Sequence, residues 1–177
     1  MAVDYDVARS GPKLAYRRAY RSKMHFDEMG IALVMYTGKV TEKLIEERIL
    51  IPFRNSLSNP SALADTKYKD FSGFIAGGRP PSIGGFVLFL RAASKPYKPS
   101  DVPLLAEFRK FLCGLPWPEA RHLLEKSFIQ SLEHLANIRN SSAHTGEPTR
   151  EETLTAIAIV VAEAMPGPLF AYLGLRT

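Results

Sequence analysis

A single cysteine, Cys113, is all the thiol chemistry this chain of 177 residues has. That excludes a disulfide framework within the chain and a thiolate-bound zinc site. In the run Phe111-Leu112-Cys113 the cysteine is expected to be a small buried hydrophobe, in a reduced, cytoplasmic setting. Long apolar runs are also missing. The run from Ala156 to Ala162 is too short to span a bilayer and is followed by Glu163. Residues Met1 to Ala8 include acids and no apolar centre, so they do not read as a signal peptide. A soluble protein with no membrane partner is expected. No segment alternates at period two, and no internal repeat is visible. The pairs Gly77-Gly78 and Gly84-Gly85 follow no strand and carry no Gly-Lys-Ser/Thr, which excludes a phosphate-binding loop. His25, His122 and His134 have no metal-ligand spacing, so neither a metal nor a cofactor is expected.

What is present is an ordinary globular composition, 46% apolar and 23% charged, with a net charge of +5 and a pI near 9.4 that favour anionic partners such as nucleic acid. Apolar residues at Phe26, Met29, Leu33, Tyr36, Val40 and Leu44 step by three and four, which is helical spacing. They predict either one long helix from about Pro12 to Ile51 or two helices joined near Thr37-Gly38, ended or kinked by Pro52. From Phe53 to Pro81 the chain reads as a loop, with one short helix around Ser61 to Tyr68. Ser82 is placed to cap a helix to Ala93, and Asp101 one from Val102 to Cys113. A long helix is expected from Pro118 to Ser141. Thr149-Arg150-Glu151-Glu152 is a capping box opening a last helix to about Met165. The apolar tail (Leu169, Phe170, Tyr172, Leu173, Leu175) is expected to dock on the core or on a partner chain. The fold class is all-α: one domain over residues 1–177, a helical bundle with a long loop after the first element.

Leu124, Phe128, Leu132 and Leu135 form the buried stripe of the Pro118–Ser141 segment, and Arg139 is the next position on it. An arginine in line with a core stripe needs a partner or a cleft. Asn140 follows it, and His144 lies five residues on. In an unbroken helix Arg139 and His144 would diverge by about 140°. They converge only if the helix ends between them or if two chains meet across a symmetric interface. Glu133 and Glu147 flank the motif as possible partners of Arg139 or His144. Taken singly, Arg139 also fits a helix C-terminal arginine satisfying carbonyls, and His144 a turn histidine.

Ile138-Arg139-Asn140-Ser141-Ser142-Ala143-His144 resembles the R-x4-6-H signature of the HEPN superfamily, and the agreement extends over roughly Pro118 to Met165. The resemblance implies a HEPN-like helical bundle and a metal-independent endoribonuclease, often a toxin or an anti-phage or CRISPR-associated effector. Arg139 would then stabilise the phosphate, Asn140 would orient it, and His144 would be acid or base. A homodimer would bring two motifs into one cleft, and an antitoxin or activator protein is a possible partner. One position departs from the pattern: where the toxins paired with nucleotidyltransferases carry a modified tyrosine, this chain has Gly146. Some members are inactive, and the alternative is a non-catalytic interaction or dimerisation module within a larger assembly. Lys13, Arg17, Arg18, Arg21 and Lys23, interleaved with Tyr16 and Tyr20, form a basic stripe that could follow an RNA backbone or simply be a solvated helix face.

Overall fold

The computed structural model describes residues 26–63, 67–96, 102–144 and 146–161, with no side-chain account for 26–28, 61, 118, 119 and 161. The basic stripe, the apolar tail, Asp101 and the end of the last helix near Met165 lie outside the described residues. Among those described there are helices and no strand. None of these helices is long and apolar enough to cross a membrane.

Helix α1 (Phe26–Ile45) is continuous, without a joint at Thr37-Gly38. It is sandwiched rather than one-faced. Leu33, Val40 and Leu44 are buried as expected, but so are Val34, Thr37, Thr41 and Ile45, whereas Tyr36 is exposed. Pro52 does not end the rod. A π-helical turn (Glu46–Leu50) leads directly into α2 (Ile51–Ser56), and the Ile51 N–H reaches back five residues to the Glu46 carbonyl. Pro52 has no N–H, and its ring would crowd the carbonyl four residues before it. The widened turn absorbs both effects.

The expected loop after Phe53 is largely helical. A 3-10 turn covers Pro60–Leu63, and α3 spans Lys69–Ile75. Helix α3 buries Phe71, Phe74 and Ile75 and ends on a Schellman motif. There Gly78 N–H donates to the Gly73 carbonyl and Gly77 N–H to that of Phe74. Gly77 has φ +100°, and a Cβ on Gly78 would lie 2.8 Å from the Gly73 oxygen, so both positions demand glycine. Helix α4 (Ile83–Ala93) starts as expected, with Ser82 Oγ accepting from Gly85 N–H. Of the glycines in its first turn, Gly85 comes near another element, at the Asp70 carboxylate of α3, and Gly84 does not. Helix α5 (Pro103–Gly114) is preceded by Val102, which gives no side-chain cap. Its Arg109 donates from Nε to the Ala93 carbonyl at 2.7 Å and from Nη2 to that of Lys95 at 2.8 Å, satisfying the end of α4. Cys113 is exposed, against expectation, because it lies a helical step beyond buried Leu112.

The expected Pro118–Ser141 helix is two elements. A 3-10 segment (Pro118–Leu124) breaks at Glu125, and α6 runs from Lys126 to His144. Helix α7 (Arg150–Val161) follows. Its capping box forms: Glu152 N–H donates to Thr149 Oγ1 at 3.1 Å, and Thr149 N–H to Glu152 Oε2 at 2.8 Å. The Thr149 N–H, then its hydroxyl, holds the Glu152 carboxyl below its ordinary pKa. Helices α6 and α7 pack on α1, and α4 packs on α6.

Candidate functional site

Helix α6 remains helical through His144, so it does not end between Arg139 and His144. The two side chains leave the axis about 140° apart and about 7.5 Å along it. The route to convergence by a helix end is therefore closed within one chain.

Arg139 lies on the inner side. Phe128, Leu132 and Leu135 of the same stripe are buried, and Arg139 continues their line with a side chain 22% exposed. What permits an arginine there is a glycine opposite. A Cβ on Gly38 of α1 would fall 2.6 Å from Arg139 Cδ and 3.2 Å from its Nε. The stem thus crosses α1 where α1 has no side chain. The guanidinium then meets Glu42, one turn further along α1: Nη1 donates to Glu42 Oε1. The same oxygen accepts the Ile83 N–H at 3.4 Å, one of the donors that the first turn of α4 leaves without an intrahelical partner. One carboxylate oxygen thereby ties together α1, α4 and α6.

Asn140 and His144 lie on the outer side. They are one turn apart, hence neighbours on the helix surface, and both are exposed, as is Asn137 one turn before Asn140. Ser142, on the inner side with Leu135, is buried and donates to the Ile138 carbonyl at 2.8 Å. Beyond the helix, Gly146 has φ +128°, a turn conformation that side chains rarely adopt. It leads the chain into the Thr149 cap.

The fold thus brings Asn140 and His144 together and sets Arg139 apart from them. Neither carboxylate expected from proximity in sequence pairs with Arg139. Glu133 pairs with Arg91 of α4, and Glu147 is exposed. Glu42 and Gly38 were missed. The signal for them is a requirement rather than a motif: an arginine on a core stripe needs an opposing carboxylate and space for its stem, and Gly38 and Glu42 stand four apart on the helix that faces it. His122 contacts Glu125 and is exposed, and among the described residues no group of three or more His, Cys, Asp or Glu side chains could hold a metal ion. No family model, curated protein or solved structure matches this chain.

Proposed function

We propose that the chain is a metal-independent endoribonuclease of the HEPN type, working as a homodimer whose cleft combines groups from two copies. The observation that carries the reading is the exposed Asn140–His144 pair at the end of α6, with Arg139 one residue before it on the adjoining face. An imidazole can serve as general acid or general base, which a phosphodiester transfer needs. The ribose 2′-hydroxyl loses its proton and attacks the adjacent phosphorus. The P–O5′ bond breaks, and the leaving 5′-oxygen takes a proton. The products are a 2′,3′-cyclic phosphate and a 5′-hydroxyl. His144 serves as acid or base, the Asn140 amide orients the phosphate, and the Arg139 guanidinium spreads the charge of the phosphorane. Because Arg139 and His144 diverge on one helix, the arginine of one copy works with the histidine of the other. A toxin or defence role, governed by an antitoxin or activator protein, follows from the same reading.

One observation favours a second reading. The Arg139–Glu42 pair joins three helices, as a structural arginine would. On that reading the chain is a helical interaction module without catalysis. The two are separated by incubating total and transfer RNA with the protein in EDTA and comparing the wild type with His144→Ala, Arg139→Ala and Asn140→Ala. The nuclease reading expects wild-type cleavage that persists in EDTA, leaves cyclic-phosphate ends and vanishes in the first two variants. A folded wild type that leaves all RNA intact supports the module.

A further inference from the structure

Helices α1 and α6 run antiparallel at the site. Gly38 faces Arg139, while Gly30, two turns earlier on α1, lies against Pro148 and Thr153, beyond the end of α6. Glu42 is therefore on the far side of Arg139 from His144. The arginine leans towards the start of α6, the direction a helical side chain prefers, and its ion pair fixes the guanidinium away from the exposed Asn140–His144 turn. Both partners are partly shielded, 22% and 28% exposed, so the pair is screened less than one on the open surface.

We propose that Glu42 is a resident anion, a latch that holds Arg139 withdrawn, and that an RNA phosphate engages Arg139 only by displacing it. The latch is a property of the nuclease site proposed above and rests on that reading for its role. Two features suit a carboxylate to this exchange. Glu42 meets one terminal nitrogen of a guanidinium that has five N–H donors, so it takes a single contact where a phosphate can take two. It also keeps an acceptor role on leaving Arg139, because its oxygen already receives the Ile83 N–H. In the exchange the phosphate takes over the guanidinium, and the carboxylate keeps the Ile83 N–H as its partner.

The test compares wild type, Glu42→Gln, Arg139→Ala and the double variant, each verified as folded by circular dichroism. Glu42→Asp serves as a second variant that keeps the charge but shortens the reach. Binding is read with a 2′-O-methyl RNA oligonucleotide, which has no nucleophilic hydroxyl, and with inorganic phosphate; cleavage is read on unmodified RNA. The latch predicts that Glu42→Gln binds the oligonucleotide roughly fivefold more tightly, that Glu42→Asp gains less, and that the gain disappears when Arg139→Ala is added. Cleavage rises in the same direction. If folded Glu42→Gln binds no more tightly, or its gain survives Arg139→Ala, the latch is overturned. Cleavage by the wild type that falls in Glu42→Gln also overturns it, leaving the nuclease in place and making Glu42 a positioning residue. A gain in binding that depends on Arg139, with no cleavage by any variant, keeps the latch and removes the nuclease reading.

Discussion

Phe53, Phe71, Phe86, Phe89 and Phe108 fill the space between α2, α3, α4 and α5, ring against ring, with Phe71 and Phe89 stacked at 3.6 Å and Phe108 edge-on to Phe53 at 5.1 Å. Helices α1, α6 and α7 meet at a second seam. Alongside buried aliphatic side chains, these helices carry Gly30, Gly38 and the buried hydroxyl residues Thr37, Thr41, Ser142 and Thr153. The buried hydroxyls donate back into their own helices, Thr41 to the Thr37 carbonyl at 2.9 Å and Thr153 to that of Thr149 at 3.0 Å. The aromatic region draws its stability from buried ring area and tight contact, so it fails when volume is removed. The seam depends on close approach of helices, so it fails when volume is added. The Arg139 motif sits on the seam, where glycine leaves room for a charged stem and a carboxylate can reach it.

This contrast can be broken from either side. The largest expected effect is at Phe108→Ala, which empties the centre of the aromatic region and should cost about 3–5 kcal/mol in urea denaturation. Under the proposed nuclease function, RNA cleavage by the fraction that remains folded should stay unchanged, since the seam is not touched. Gly38→Val attacks the seam by addition. It should cost about 1–3 kcal/mol, and it should also reduce RNA cleavage to the level of Arg139→Ala, because the new side chain takes the space of the arginine stem. Glu42→Ala leaves Arg139 half-buried and unpaired and should cost about 1–2 kcal/mol.

The smallest effect is at the edge of the seam. Thr149→Ala removes the cap of α7 and should cost about 1 kcal/mol at neutral pH. The Glu152 carboxyl is held below its ordinary pKa by the Thr149 N–H and hydroxyl. A depressed carboxyl contributes stability that is present above its unfolded value and is lost as pH falls through the folded one. The difference in melting temperature between Thr149→Ala and the wild type should therefore shrink as the pH is taken from neutral into the range where Glu152 protonates. A difference that stays constant with pH would separate the cap from Glu152.

How much of this was legible in the sequence depended on range. Ser82, the Thr149–Glu152 box and the Phe128-Leu132-Leu135 stripe are local, and each appears where its pattern places it. The sequence of helix α3 reads as loop because its seven residues include Gly73, and its stability comes from Phe71 and Phe74 packed in the core. Pro52 reads as an end or a kink because a π turn has no local signature. The break at Glu125 was hidden because Leu124 happens to extend the spacing of the stripe. The need of Arg139 for a partner was legible, but the partner was not. Glu42 is 97 residues away, and sequence proximity could offer only Glu133 and Glu147.

The proposed function requires Arg139 and His144 to act together across two chains, because one continuous helix holds them apart. Mixing Arg139→Ala with His144→Ala, after conditions that exchange subunits, tests it directly. Each variant alone should fail to cleave RNA. Random exchange makes half of the dimers mixed, each with one intact site of two, so the mixture should regain about a quarter of wild-type cleavage. A mixture that exchanges subunits yet stays as inactive as its components would contradict the account.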